Sequence, residues 1–212
     1  MSKKAILFDL DGTLTDSGEG IINCAILALE HFGLPIPSRK ELGVFVGPPL
    51  NKSFMEFGVK ETEVDEAIRV FRSRYLTKGK FENFPYAGIP EMLANLQAHG
   101  HDLYVATSKP EDTALEIMDH FGLSKYFTRI CGATMDEARN SKDKVIAYLL
   151  DTCGRGENIV MVGDTVYDVV GAKAHHIPTI GVAWGYGNVE DMDHAGAQAI
   201  AYDVPQLFEL LK

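Results

Sequence analysis

The sequence has few of the residues from which disulfide-stabilised or membrane proteins are built. Only three of its 212 residues are cysteines, at positions 24, 131 and 153, and no CxxC pair occurs. This count excludes a disulfide framework and predicts reduced, mostly buried thiols. No hydrophobic run approaches the length of a membrane span, and the run at residues 5–8 is too short for a signal-peptide core. We therefore expect a cytoplasmic protein without a membrane partner.

Positive charge is also scarce. Lysine and arginine number 20 against 30 aspartates and glutamates, which gives a formal net charge of −10 and a pI of about 5.1. This balance argues against a nucleic-acid partner held by bulk charge, whereas a small anionic substrate needs only local cations. Hydrophobic residues make up 46% of the chain, and its length allows one large domain or one domain with an insertion.

The most informative segment is residues 5–15, AILFDLDGTLT, in which a short apolar run ends on Asp9 and Asp11. In an extended chain, residues two apart point the same way, so both carboxylates can face one point. Two adjacent carboxylates repel each other unless a proton or a cation neutralises them. The pattern predicts a divalent metal and carboxylate chemistry at a strand end. The alternative is a simple Asp-Gly turn, which does not explain Asp9.

Strand and helix patterns alternate after residue 85, whereas residues 17–80 contain only helical patterns. Alternation of this kind predicts an α/β fold, a Rossmann-like parallel sheet with helices on both faces. We expect a core of residues 1–16 and 81–212 with an all-helical domain, 17–80, inserted after the first strand. The predicted elements of the core are strands at 5–9, 102–107, 129–132, 158–162, 178–183 and 197–202, and helices at 111–121, 142–152, 166–175 and 204–212. Predicted helices of the insertion lie between Asp16 and Gly33, at 50–57 and at 61–78, and Ser38 and Glu41 have capping-box spacing.

Ligands of parallel α/β sheets bind beyond the carboxyl ends of the strands, so the residues that follow each strand are candidates. The strand at 102–107 ends in Thr107, followed by Ser108 and Lys109, and the strand at 158–162 is followed by Asp164 and, one helical turn later, Asp168. Taken alone, Asp164 has the alternative role of a helix cap, Thr107 that of a strand end and Lys109 that of a solvated charge. These alternatives do not explain the convergence of the residues with Asp9 and Asp11.

A cation for a bound phosphate is also expected at the start of the helix predicted at 142–152, where backbone N–H groups favour anions. Lys142 is the first choice and Lys144 the rival.

These motifs resemble those of the haloacid dehalogenase-like hydrolase superfamily, in the subgroup of phosphoglycolate phosphatases with a helical cap after the first strand. The resemblance rests on DLDGT, on ATSKP, on NSKDK and on GDTVYD, and it covers nearly the whole chain. Two positions depart from the family pattern. Ser108 stands where many relatives have asparagine, and Asp143 follows Lys142 where relatives often have proline.

The resemblance implies roles for the candidate residues. Asp9 is expected to be the nucleophile that forms an aspartyl-phosphate, and Asp11 the general acid and base. Mg²⁺ is expected to bind Asp9, the Asp11 carbonyl and Asp164, with Asp168 in support. The phosphoryl group is expected to contact Thr107, Ser108, Lys142 and the Gly12 turn.

Several functions are compatible with the sequence. The first choice is a magnesium-dependent phosphatase of small phosphomonoesters, most similar to phosphoglycolate phosphatase, and the alternative substrate is a nucleoside 5′-monophosphate. A sugar phosphomutase uses the same core, and a phospho-signalling receiver is a non-enzymatic alternative that lacks a cap. Selectivity is expected to come from the cap loop, at Gly47, Asn51 and Lys52. The expected partner is a small phosphorylated metabolite, and the chain is expected to be a monomer or homodimer.

Overall fold

The computed structural model describes residues 3–134, 138–154 and 158–212. The chain forms two compact units, of which the first comprises Met1–Thr15 and Pro85–Lys212 and the second Asp16–Phe84. Among the described residues, no helix has both the length and the apolar character needed to cross a membrane.

The first unit is built on a six-stranded parallel sheet. Its strands are β1 (Ala5–Phe8), β4 (Asp102–Pro110), β5 (Arg129–Ala133), β6 (Ile159–Gly163), β7 (Thr179–Val182) and β8 (Ala199–Ala201). Two further short strands, β2 (Thr15–Asp16) and β3 (Phe84–Pro85), pair with each other. The fold class predicted from the sequence, α/β with a parallel sheet, is therefore confirmed.

The order of the six strands, β5-β4-β1-β6-β7-β8, places β1 at the point where the direction of winding reverses. Phe8, the last residue of β1, is in register with Val105 of β4 and Val162 of β6. The residues that follow these three strands consequently lie at one edge of the sheet. This is the position at which open parallel sheets bind ligands.

The two faces of the sheet bury alternate residues of each strand, because successive side chains of a strand point in opposite directions. Ile6 and Phe8 belong to the apolar cluster on one face, and Leu7 belongs to the cluster on the other. Helices cover these faces: α4 (Ile89–Ala98), α5 (Glu111–His120), α6 (Lys142–Cys153), α7 (Val166–Lys173), α8 (Val189–Ala195) and α9 (Val204–Leu211).

The second unit contains α1 (Gly18–His31), α2 (Leu50–Glu56) and α3 (Val64–Tyr75) together with short 3₁₀ turns. A chain of aromatic contacts forms its core, since ring centroids lie 5.0 Å apart between Phe45 and Phe54, 6.3 Å between Phe54 and Phe71, and 5.3 Å between Phe71 and Tyr75. Such pairs add to the stabilisation that burial of the rings provides.

The structure differs from the expected elements at several positions. Strand β4 continues to Pro110, three residues beyond its predicted end at 107. Ser38 and Glu41 make the reciprocal bonds of a capping box, but they open only a 3₁₀ helix, Glu41–Phe45. Helices α4 and α8 had no individual prediction. The residues Ile89, Met92, Leu93 and Leu96 of α4 nevertheless have the spacing of a buried helical face, whereas α8 has only seven residues.

An ion pair inside the second unit offers a test of its stability. The Arg74 guanidinium donates to both carboxylate oxygens of Glu82 at 2.8 Å, and both side chains are mostly buried. The hydrogen bonds from Arg74 lower the pKa of Glu82 from 4.5 to about 2. The pair therefore stabilises the folded unit fully above about pH 4.5, and this contribution disappears as the pH falls toward 2.

We expect Glu82→Gln to lower the free energy of unfolding by about 2 kcal/mol at pH 7 and by much less at pH 3. Urea titrations at the two pH values measure this difference. Glu61→Gln, a substitution at an exposed site of the same unit, is the control and should have little effect. An equal loss of stability at pH 7 and pH 3 would contradict the prediction.

Candidate active site

Asp9 follows β1 directly and is almost fully buried. Its backbone N–H donates to the Val162 carbonyl at 2.9 Å, which extends the pairing of β1 with β6 by one residue. The Asp9 side chain is only 9% exposed, and its Oδ1 lies 2.7 Å from the Lys142 Nζ. A buried carboxylate requires a partner of this kind, because an unpaired charge in the interior is strongly unfavourable.

Lys142, the first residue of α6, is the cation of the site. Its Nζ lies 2.7 Å from Asp9 Oδ1, 2.7 Å from Asp168 Oδ1 and 2.9 Å from the Ala106 carbonyl oxygen. The carbonyl accepts a hydrogen bond from Lys142, and the two carboxylate contacts are ion pairs. Burial lowers the pKa of Lys142, but the charges of Asp168 and Asp9 outweigh burial and hold the pKa above its ordinary value.

Asp168 is fixed by the start of α7. Its Oδ2 accepts hydrogen bonds from the Thr165 backbone N–H at 3.0 Å and from the Thr165 hydroxyl at 2.8 Å, in a capping box. Its other oxygen, Oδ1, faces Lys142. Both oxygens are thus engaged, and Asp168 serves to hold the lysine.

Asp164 follows β6 and is completely buried. Its Oδ1 accepts a hydrogen bond from the Thr13 hydroxyl at 3.2 Å, and its Oδ2 accepts one from the Tyr186 backbone N–H at 2.8 Å. Burial and the charges of Asp168 and Asp9 raise the pKa of Asp164 well above its ordinary value. The side chain therefore lies where a further positive charge would be stabilising.

The arrangement of these carboxylates fits a divalent cation. Asp9, Asp164 and Asp168 each place one carboxylate oxygen within 4.8 Å of the others. Ionisation of all three carboxylates beside the Lys142 ammonium would leave two negative charges, which a divalent ion would balance. The donors are all oxygen atoms, as hard cations such as Mg²⁺ prefer. Asp168 has the most partners, because its Oδ2 accepts two hydrogen bonds and its Oδ1 faces Lys142. Asp9 and Asp164 therefore keep more acceptor capacity for the ion.

Asp11 pairs with a different lysine. Its Oδ2 lies 2.9 Å from the Lys109 Nζ, and the two side chains are 12% and 5% exposed. Its Oδ1 is buried and has no hydrogen-bond partner in the described part of the chain. The two carboxylates of the DLDGT motif therefore have different surroundings: Asp9 belongs to the three-carboxylate cluster, and Asp11 is held beside it by Lys109.

The remaining predicted residues of the core lie around this cluster. Thr107 is buried, and its hydroxyl accepts a hydrogen bond from the Lys109 backbone N–H at 3.2 Å. Ser108 is half-buried. Gly12 has a φ of +81°, and a Cβ there would lie 2.2 Å from Asp164 Oδ2, so this turn requires glycine.

The rival lysine lies outside the cluster. Lys144 is exposed, and its Nζ donates to the Asn140 side chain at 3.1 Å. The structure thus brings Lys142, and not Lys144, to Asp9.

The predicted selectivity residues belong to the second unit. Gly47 has a φ of +100°, and Asn51 and Lys52 are exposed in the first turn of α2. The Asn51 side chain accepts a hydrogen bond from the Lys52 backbone N–H at 2.9 Å.

Two features of the site were missed or misassigned from the sequence. Lys109 is among the residues expected at this edge of the sheet, but the sequence did not identify its partner, Asp11, against which the extended β4 buries it. Residues 184–187, WGYG, are not among the candidate site residues from the sequence, yet the Tyr186 backbone N–H donates to Asp164 Oδ2. The two glycines in four residues were the available signal, because glycine often marks a close approach of the backbone to a neighbouring group.

Comparison with known proteins is consistent with this geometry. Residues 6–182 match the sequence family described as haloacid dehalogenase-like hydrolase. A solved structure described as a "predicted phosphatase from Clostridium acetobutylicum" superposes with a TM-score of 0.94 and 39% identity, and the match covers 100% of this chain and 99% of that one.

Curated relatives have several activities. The chain is 42% identical over 189 residues to a 5′-nucleotidase of Pseudomonas aeruginosa, covering 88% of this chain and 86% of that protein. It is 41% identical over 202 residues to the tyrosine-protein kinase PtkA of Mycobacterium tuberculosis, covering 95% and 69%. A phosphoglycolate phosphatase of Agrobacterium fabrum is 30% identical over 190 residues, covering 86% and 82%.

Proposed function

Because the chain belongs to the haloacid dehalogenase-like hydrolase family and is a phosphoric monoester hydrolase, we propose that it hydrolyses small phosphomonoesters through an aspartyl-phosphate on Asp9, with Mg²⁺ as cofactor. The observation that carries the proposal is the buried cluster in which Lys142 bridges Asp9 and Asp168 beside Asp164. The cluster combines a carboxylate nucleophile, a fixed cation and a set of oxygen ligands.

The reaction has two steps. A carboxylate oxygen of Asp9 attacks phosphorus, the bond from phosphorus to the leaving oxygen breaks, and Asp11 gives that oxygen a proton. A water molecule then attacks the phosphorus of the aspartyl-phosphate and gives a proton to Asp11. The bond between phosphorus and Asp9 breaks, and inorganic phosphate leaves. Asp9 is then again a carboxylate, and Asp11 again carries the proton that it donates in the first step.

The surrounding residues stabilise charge in both steps. Lys142 orients Asp9 through their ion pair and acts on the phosphoryl group chiefly through its charge. Thr107 and Ser108 are left to contact the phosphoryl oxygens, whereas the Gly12 N–H, from which such a contact was also expected, already donates to the Thr15 carbonyl at 2.8 Å. Asp9, the Asp11 carbonyl and Asp164 would hold the Mg²⁺, which supplies positive charge to the phosphoryl oxygens when bound.

Two substrate classes remain candidates. Phosphoglycolate is favoured by the family motifs, and a nucleoside 5′-monophosphate is favoured by the 42% identity to the 5′-nucleotidase. We propose that residues 17–80 act as a cap and that Gly47, Asn51 and Lys52 contribute to the choice. A phosphomutase would use the same core, and it would transfer phosphate between sugar positions with little net release.

The proposal is tested by phosphate release from the purified protein. We expect activity on p-nitrophenyl phosphate with Mg²⁺, loss of this activity in excess EDTA, and recovery when Mg²⁺ is restored in excess. A panel containing phosphoglycolate, nucleoside 5′-monophosphates and hexose phosphates then ranks the natural candidates by kcat/KM. Full activity in excess EDTA would contradict the metal dependence, and transfer without phosphate release would favour the mutase.

The ion pair between Lys109 and Asp11 leads to a second prediction. If Lys109 orients the general acid, Lys109→Met should impair alkyl phosphates more than p-nitrophenyl phosphate, because nitrophenolate leaves without a proton. We expect the loss of kcat/KM to be about 10-fold larger for β-glycerol phosphate. Lys109→Arg keeps the charge and should recover part of the difference. Equal losses for both substrates would show that Lys109 does not act through Asp11.

A further inference from the structure

The loop of residues 184–187 after β7 lies in unusually close contact with Asp164. A Cβ at Gly185 would stand 2.3 Å from Asp164 Oδ2 and 2.5 Å from the Gly12 carbonyl oxygen. A Cβ at Gly187 would stand 2.0 Å from the Asp164 carbonyl oxygen. Cβ atoms do not occur at such distances, so neither position accepts a larger residue without movement of the backbone. Only glycine therefore fits at these two positions, because Asp164 leaves no space for a side chain.

Hydrogen bonds complete the enclosure of this carboxylate. The Tyr186 N–H donates to Asp164 Oδ2 at 2.8 Å, and the Thr13 hydroxyl donates to Oδ1 at 3.2 Å. The Trp184 indole N–H donates to the Thr13 carbonyl oxygen at 3.2 Å. The 184–187 loop thus holds Asp164 directly through the Tyr186 N–H. It also holds Asp164 indirectly, because Trp184 fixes Thr13, whose hydroxyl donates to Asp164 Oδ1.

This closed set of contacts selects one orientation of the carboxylate. The terminal torsion of an aspartate is broad when nothing holds it. Here each oxygen accepts one hydrogen bond, and because a carboxylate has about four acceptor positions, capacity for a cation remains. A ligand that is already oriented loses little conformational freedom when the ion binds. Groups that orient metal ligands in this way typically change metal affinity by roughly 10-fold to 100-fold when they are removed.

We infer that Trp184 and Gly185, together with Thr13, are positioning residues that hold Asp164 for the cation and thereby set the affinity of the site for Mg²⁺. The inference rests on the proposed function, since it assumes the metal role of Asp164. A loop that only packs, for instance through the edge contact of Trp184 with Tyr86 at 6.3 Å, would not influence cation binding once the protein is folded.

Substitutions that remove one donor and keep the shape of the side chain separate the two roles. Trp184→Phe keeps an aromatic ring and removes the indole N–H, whereas Thr13→Val removes the hydroxyl with little change in volume. Thr13→Ser retains the hydroxyl. Thr179→Val is the matched control, because Thr179 is a buried residue of β7 whose hydroxyl has no hydrogen-bond partner among the residues that the structure describes.

The readout is Mg²⁺ binding without substrate, measured by calorimetric titration and by the change in Tm between EDTA and Mg²⁺. We expect Kd for Mg²⁺ to rise about 10-fold or more in Trp184→Phe and Thr13→Val, with Thr13→Ser and Thr179→Val close to the wild type. If Thr13→Val does not fold, the Kd of Trp184→Phe for Mg²⁺ tests the inference by itself. If folded Trp184→Phe binds Mg²⁺ as tightly as the wild type, the inference is overturned and the proposed function is not affected. If the wild-type protein does not bind Mg²⁺, both the inference and the proposed cofactor are overturned.

Discussion

Replacing Asp9 by asparagine is expected to reduce kcat for p-nitrophenyl phosphate by at least about 10³-fold, because the amide cannot act as the nucleophile. Asparagine is nearly isosteric, so the buried pocket beside β1 remains filled. Lys142 loses one ion-pair partner but retains Asp168 and the Ala106 carbonyl. The protein should therefore stay folded while it loses turnover.

The same variant tests the covalent intermediate. Rapid acid quenching of the wild type with a ³²P-labelled substrate should trap a labelled protein whose phosphate is released by hydroxylamine, as expected for an acyl phosphate. Asp9→Asn should carry no label. Asp151→Asn, an exposed aspartate on α6, is the control and should retain both activity and labelling. Normal turnover by Asp9→Asn would exclude Asp9 as the nucleophile.

Replacing Lys142 by methionine is expected to affect stability as well as activity. The lysine is the cation that faces both Asp9 and Asp168, and its removal leaves these carboxylates buried without their partner. Breaking a buried ion pair in this way typically costs about 3–5 kcal/mol. We expect a loss of about 3 kcal/mol in the free energy of unfolding and a fall in kcat of at least about 10²-fold.

Lys144→Met provides the matched comparison, since it removes the same charge from the same helix only two positions away. Lys144 is exposed, and its Nζ contacts only the Asn140 side chain among the described polar groups. Surface interactions of this kind contribute roughly 0–1 kcal/mol. Urea unfolding and phosphate release of the two variants therefore decide between the two lysines. Equal losses of stability and activity in the two variants would contradict the assignment of Lys142 as the partner of Asp9.

Much of the fold follows from local pattern. Short apolar runs that alternate with amphipathic segments were sufficient to predict the parallel sheet, because burial on both faces requires continuous apolar strands. Helices α4 and α8 were not predicted individually, although the buried residues of α4 have helical spacing. The role of the second unit as a cap, and of Gly47, Asn51 and Lys52 in selectivity, stays a prediction.

The sequence by itself identified the residue types of the site, because DLDGT and GDTVYD place carboxylates directly after strands whose ends meet in any parallel sheet. Only the tertiary structure decided which charges meet. Lys142 and Lys144 look alike in the sequence, but one turn of α6 buries the first against Asp9 and exposes the second. Lys109 and the 184–187 loop acquire their roles only through contacts with Asp11 and Asp164, which are distant along the chain. The local spacing of apolar and polar residues indicates which helix or strand a residue belongs to. Contacts between residues distant along the chain depend on strand order and register, which local spacing does not contain.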